Sequence, residues 1–202
     1  MQAARGASLS EPRAGRPRLA LVLIVAVVVL TLDIATKHLA VDRLSASDPV
    51  DVVDGVLKLR LVRNSGAAFG AASGLTVVLS LVAAAVIVAI LRVARVLRSA
   101  WWAVALGLVL GGALGNLTDR VFRSPGLFRG RVIDFLELPH WPVFNLADSC
   151  IMTGGALMVL LSLRGIRHDG TRDPSATRKP DTTEKSDTTH EADTATDLPP
   201  TP

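Results

Sequence analysis

Four long apolar runs set the terms on which this chain can fold. Residues 19–40, 70–91, 100–117 and 144–163 each approach the ~20 residues that a helix needs to cross a hydrocarbon core. Inside lipid no water satisfies the backbone, so such runs are read as helices. The expected fold is membrane α-helical, with four transmembrane helices. Half of the 202 residues are hydrophobic and the mean hydropathy is +0.41, which fits that class and leaves room for one compact membrane domain. A basic start followed by an apolar core also fits a cleavable signal peptide. No small-x-small cleavage site follows promptly, and Asp33 and Lys37 continue the same helix at i, i+4 spacing, so the first run is read as a span.

Arginines between the spans orient them. Residues 1–16 form an N-terminal extension carrying Arg5, Arg13 and Arg16, and Arg18 follows it; Arg92, Arg95 and Arg98 follow the second span, and Arg164 and Arg167 the fourth. Four spans put all of these on one side, so both termini are expected in the cytoplasm. Arg120, Arg123, Arg129 and Arg131 then face outward, against the rule. Trp101, Trp102 and Trp141 sit at span edges, as interfacial anchors do.

Between the first two spans, residues 56–62 partly alternate apolar and polar side chains, and Gly55 after Asp54 reads as a hairpin turn. A small β-cradle at the outer surface is expected there. The membrane domain is taken as residues 17–167. Residues 168–202 are rich in Thr, Asp and Pro, cannot bury enough apolar surface to fold, and are expected to form a disordered cytoplasmic tail.

The net charge of +4 is unevenly spread. From Asp169 onward eight acidic and four basic side chains give −4, leaving +8 for the rest, which suits an anionic lipid surface. Aromatic side chains are few and no basic stripe is interleaved with them, so nucleic acid is excluded as a partner. The single Cys150 allows no internal disulfide and reads as a small buried apolar residue. His38, His140, His168 and His190 are scattered, without the spacing of a zinc site. A Gly-x-Ser-x-Gly elbow and a phosphate-cradling Gly-x-x-x-x-Gly-Lys loop are both missing, so neither metal nor cofactor is expected.

What is present is a set of polar residues at span ends. Asp134 and Asp148 are 14 residues apart, the first in the loop before the fourth span and the second inside that span. A carboxylate at membrane depth is costly and persists where it pairs, faces a wet cavity or does chemistry. Two carboxylates sharing one site drive their pKa values apart, so that one takes a proton from water while the other donates one to a carbonyl oxygen. That is amide hydrolysis without metal or covalent intermediate. Asn145 lies i, i+3 from Asp148 and points the same way. Asn116, Asp119 and Arg120 end the third span, where Asp119 and Arg120 are expected to pair unless the three merely cap the helix. Gly107, Gly111 and Gly115 make a smooth strip for close helix packing. Asn64 and Gly66 join the strand-like segment to the second span, either as a site element or as a glycine turn. Asp33 and Lys37 are either part of the site or a local ion pair whose lysine snorkels to the interface.

Taken together these pieces resemble the lipoprotein signal peptidase (signal peptidase II) family, bacterial membrane aspartic peptidases. The resemblance covers residues 17–167. The stretch Asp33-Ile34-Ala35-Thr36-Lys37 resembles the family's Asp-Gln-x-Thr-Lys, although Ile34 replaces the glutamine and its hydrogen bond. Residues 64–69 resemble Asn-x-Gly-Ala-Ala-Phe, and residues 115–120 resemble Gly-Asn-Leu-x-Asp-Arg. Val132-Ile133-Asp134-Phe135 and Phe144-Asn145-Leu146-Ala147-Asp148 resemble the two blocks with the family's catalytic aspartates. The resemblance implies that Asp134 and Asp148 are a catalytic dyad, that Asn64, Gly66, Asn116, Asp119, Arg120 and Asn145 position dyad and substrate, and that Asp33 and Lys37 support them. It implies a diacylglyceryl-modified prolipoprotein as substrate, cut just before its lipidated cysteine at the outer face of the bacterial cytoplasmic membrane. Membrane lipid and the inhibitor globomycin are the other implied partners. The alternative is a non-enzymatic membrane protein, such as a proton-coupled transporter subunit, or an inactive relative.

Overall fold

A computed structural model of the protein describes residues 18–45, 48–66 and 74–171. The expected N-terminal extension, all but the first residues of the expected tail, and the stretch 67–73 lie outside the described residues. Four helices, α1 (Leu19–Leu44), α2 (Gly74–Ala94), α3 (Ala100–Phe122) and α4 (Leu146–Leu163), account for the four apolar runs. Each has the length and composition to cross a membrane, so the protein is a multi-pass membrane protein.

α3 is the central helix. Of its most apolar window 56% is buried, against 22%, 17% and 17% for α1, α2 and α4, which expose their remaining apolar surface as lipid-facing helices do. Glycines make this centrality possible. A Cβ at Gly107 would lie 2.7 Å from Val25 Cβ, and one at Gly111 2.6 Å from Val29 Cβ. On the other side of α3, a Cβ at Gly112 would lie 2.7 Å from Ile151 of α4. Small residues let backbones approach and gain dispersion contacts where lipid supplies no hydrophobic drive.

The expected small cradle is present as a three-stranded antiparallel sheet, one strand of which comes from elsewhere in the chain. β1 (Val50–Val53) and β2 (Leu57–Asn64) form the hairpin between α1 and α2, turning at Gly55 with φ +72°. A third strand, β3 (Val132–Glu137), comes from the α3–α4 connection and pairs antiparallel with β2. Asp134 therefore stands on a strand, not in a loop. Ile133 and Phe135 pack with Ala40 of α1 in a small apolar cluster, which seats the sheet on the end of the bundle.

Two devices then deliver the start of α4 to β3. Phe144 exchanges backbone hydrogen bonds with Leu136 at 2.8 and 2.9 Å, folding the chain back along the strand. Asn145 then opens α4 with a capping box: its side chain accepts from the Asp148 N–H at 3.0 Å, and the Asp148 carboxylate accepts from the Asn145 N–H at 3.2 Å.

Candidate active site

The site is built at the end of the bundle where α1, α3, α4 and β3 meet. Its lowest layer is ionic. Of the two alternatives for Lys37 the structure shows the site one: the side chain does not snorkel but is buried, with only 1% exposed, two turns short of the end of α1. Its ammonium lies 2.7 Å from Asp33 and 2.9 Å from Asp119, both buried, and donates to Asn116 Oδ1 at 3.1 Å. Asp33 also accepts the Ala147 N–H at 3.0 Å, satisfying one of the unpaired amides at the positive end of α4. A Cβ at Gly115 would collide with the Asp33 carboxylate, so the last glycine of the α3 strip makes room for the acid.

Asp119 does not pair with Arg120. Its Oδ2 takes Lys37 and, at 3.2 Å, the Ile133 N–H of β3, while its Oδ1 takes Arg123 Nε. Neighbours in a helix diverge by about 100°, whereas residues four apart lie on one face, so Arg123 is the geometric partner. Arg123 is the site residue that sequence reasoning missed, and its i, i+4 spacing from Asp119 was the available signal. Arg120 instead reaches back to the Asn116 carbonyl at 3.3 Å and lies within electrostatic range of Asp148, Asp134 and Asp119. Its Nε is buried and donates to no described residue.

The upper layer is a directional set of asparagines. Asn116 Oδ1 accepts from Lys37 and from Asn145 Nδ2 at 3.2 Å, which leaves its NH₂ to donate to Asp148 Oδ1 at 2.8 Å. Asn145 Oδ1 is taken by the Asp148 N–H, so its NH₂ faces Asp134 Oδ1 at 2.6 Å. Asn64 Oδ1 accepts the Gly66 N–H at 2.7 Å, and its NH₂ faces Asp134 Oδ2 at 2.9 Å. In each case an occupied carbonyl fixes which way the amide points. Gly66, at φ +83°, makes this turn in a region that favours glycine, and a Cβ there would lie 2.6 Å from Leu79. Residues 67–69 of the Asn64 motif lie outside the described residues.

Both oxygens of each aspartate thus receive an N–H donor, and the two acids are joined through Asn116 and Asn145. Asp134 is buried and Asp148 half-buried. Burial pushes the Asp134 carboxyl up from 3.8 to about 6; the Asp148 charge adds to the rise, and the Asn64 and Asn145 amides oppose it. Ionised throughout, the cluster of Asp33, Asp119, Asp134, Asp148, Lys37, Arg120 and Arg123 carries four negative and three positive charges, so one resident proton makes it neutral.

Comparison with known proteins shows the family. The family model described as Signal peptidase (SPase) II matches residues 25–164. A lipoprotein signal peptidase of Rhodococcus jostii is 50% identical over 167 residues, 83% of this chain and 84% of that one. Its counterpart in Mycobacterium tuberculosis is 52% identical over 161 residues, 79% of this chain and 80% of that one. A solved bacterial membrane enzyme, determined by the in meso method at 1.9 Å resolution, superposes with a TM-score of 0.66 at 26% identity, over 76% of this chain and 99% of that one. Both acids that the site brings together fall inside the matched segment, and the chain belongs to the signal peptidase II family of membrane peptidases.

Proposed function

We propose that this protein removes the signal peptide from diacylglyceryl-modified prolipoproteins, cutting just before the lipidated cysteine, with Asp134 and Asp148 as the catalytic dyad. The observation that carries this reading is the pair of carboxylates held by oriented amides over a buried ionic layer. Asp134, with its raised pKa, holds the proton more readily; Asp148, half-buried at the mouth of α4, is assigned the role of general base. Asp148 takes a proton from water as the water oxygen attacks the scissile carbonyl carbon. Asp134 donates to the carbonyl oxygen. Collapse of the tetrahedral species breaks the C–N bond: the proton gathered by Asp148 passes to the leaving nitrogen, and Asp134 takes back a proton from a hydroxyl of the gem-diol as the new carboxyl forms. Asn64, Asn116 and Asn145, with Gly66 behind Asn64, hold the acids in place, and the free Arg120 Nε is a donor for a substrate backbone carbonyl. Asp33, Lys37 and Asp119 fix this framework.

The proposed orientation puts both termini in the cytoplasm and the dyad at the outer face. Arg18, Arg92, Arg95, Arg98, Arg164 and Arg167 all lie at or beyond the helix ends opposite the dyad, which supports it. A substrate anchored by acyl chains then meets the site at membrane depth. The same reading makes globomycin an inhibitor. A proton-coupled transporter would spread its acids through the membrane depth, whereas here they gather at one end.

The test is cleavage of a diacylglyceryl-modified prolipoprotein by purified protein in detergent. Expected is globomycin-sensitive cleavage before the lipidated cysteine, retained when residues 172–202 are removed. A folded protein that leaves a substrate uncut, when another signal peptidase II cuts it, overturns the reading.

A further inference from the structure

The outward-facing arginines stand against the bias that keeps basic residues inside. Arg120 is accounted for by the dyad. Arg123 and Arg131, together with Arg63 of β2, line a single cavity of about 550 Å³. Val41 of α1 and Ile133 of β3 give it an apolar wall, and Ser124 contributes a polar edge. Strand alternation explains where it lies. Arg63 sits opposite Ile133 in the β2–β3 register, while Asn64 and Asp134 leave the sheet on the other face. The cavity and the dyad therefore occupy opposite faces of one sheet.

Its charge is largely uncompensated. Arg123 gives its Nε to Asp119, but neither Arg63 nor Arg131 makes an ion pair with a described residue. Three guanidinium groups face one cavity with one carboxylate among them. Guanidinium forks match phosphate oxygens in pairs, and each added anion–guanidinium contact relieves the repulsion among the three. Depth narrows the choice of anion. Val41 is one turn from the end of α1 at Leu44, and Arg123 directly follows α3, so the cavity opens where two apolar spans end, at the level of lipid headgroups.

We propose that this cavity binds the phosphate of an anionic glycerophospholipid, at a site separate from the path of the peptide substrate. Its occupancy bears on the dyad through Arg123, the same guanidinium that holds Asp119 beneath Asn116 and β3. The proposal rests on the membrane placement of the spans and not on the dyad assignment.

The experiment is native mass spectrometry of the full chain after delipidation, titrated separately with dioleoylphosphatidylglycerol, dioleoylphosphatidylcholine and inorganic phosphate. Wild type is expected to retain one phosphatidylglycerol at about thirtyfold lower concentration than Arg63→Gln/Arg131→Gln, and to prefer it to phosphatidylcholine. Arg131→Lys, which keeps the charge but loses the fork, is expected to fall between. Equal retention by wild type and double variant overturns the proposal, as does equal retention of the two lipids. Binding of inorganic phosphate without binding of phosphatidylglycerol overturns the lipid assignment. Arg131→Gln alone, at an exposed position, supplies the comparison if the double variant does not fold. Cleavage is followed on the same samples: lipid retained by wild type with no cleavage counts against the peptidase reading only.

Discussion

At the end of the bundle that carries Arg18, the chain is held by apolar contact. Val22 and Ala26 of α1, Ile90 and Ala94 of α2, Leu97, and Ala103 and Leu106 of α3 form one buried cluster without a charged member. Backbone groups close it off, with the Arg18 N–H on the Leu97 carbonyl at 2.8 Å and the Arg98 and Ser99 N–H groups on the His168 carbonyl at 3.1 Å. The dyad end is the reverse. Asp33, Lys37, Asp119, Asp134 and Asn145 are all buried, and nearly every contact there has a direction. Apolar contact tolerates small shifts and contributes stability in proportion to area. A buried charged network fixes geometry and contributes little net stability, because desolvation offsets the Coulombic gain. The difference predicts that stability and activity separate along the helix axis.

The strongest way to break that comparison is at the dyad. Asp134→Asn and Asp148→Asn, made singly, are expected to reduce kcat/KM by about 10⁴-fold, on the order of 5 kcal/mol in the barrier. Thermal unfolding in detergent should stay within a few degrees of wild type. A purified variant cleaving at a tenth of the wild-type rate removes that aspartate from the dyad.

Lys37→Met comes next. Methionine fills most of the same space, but Asp33 and Asp119 lose their shared cation and Asn116 Oδ1 loses one of its two donors. Removing one partner of a buried ionic set costs about 3–5 kcal/mol, and here activity should fall as well because Asn116 is free to turn. Unchanged turnover in a variant with lowered thermal stability would show that Lys37 supports the fold without orienting the site. At the opposite end, Leu97→Ala is expected to cost about 3 kcal/mol of stability through a cavity among α1, α2 and α3. Its kcat/KM, measured below the unfolding range, should match wild type.

How much of this was legible in the sequence follows the same division. Span positions were readable because a bilayer imposes a length and a composition, and the helices differ from expectation mainly at their ends: α1 runs on to Leu44 and α3 to Phe122. The glycine strip was readable because spacing of four fixes one helix face. Strand β3 was not. Val132 to Phe135 is buried on both faces, so it lacks the alternation that marks a half-exposed strand, and its partner β2 is far away in sequence. Without that strand Asp134 reads as a loop residue, and the two faces of β3 cannot be told apart. The asparagine orientations were beyond reach for a related reason. Each depends on what occupies the amide oxygen, which is a tertiary fact.

The smallest expected effect is also the one that separates the two ends most directly, because it is a pH dependence of stability arising from a carboxyl of the proposed dyad. The folded-state pKa of Asp134 is raised from 3.8 to about 6 by burial. Between those values the folded protein binds more of the proton than the unfolded chain does, so stability falls as pH rises through this window, and the cost is fully present above about 6. Over pH 5 to pH 7 that shift corresponds to a loss on the order of 1 kcal/mol assigned to this one carboxyl. Asparagine at position 134 does not titrate. The stability difference between wild type and Asp134→Asn should therefore move in favour of wild type by about that amount on acidification from pH 7 to pH 5. Asp148→Asn removes a negative charge that helps to raise the Asp134 pKa, so the same acidification should benefit that variant less than wild type. Leu97→Ala, at the apolar end, should show the full wild-type dependence. A wild-type difference that stays flat over this range would mean that Asp134 is better solvated than its 2% exposure implies. The carboxyl would then be an ordinary acid, with no more hold on a proton than an exposed carboxylate has, and Asp134 would lose its role as proton holder.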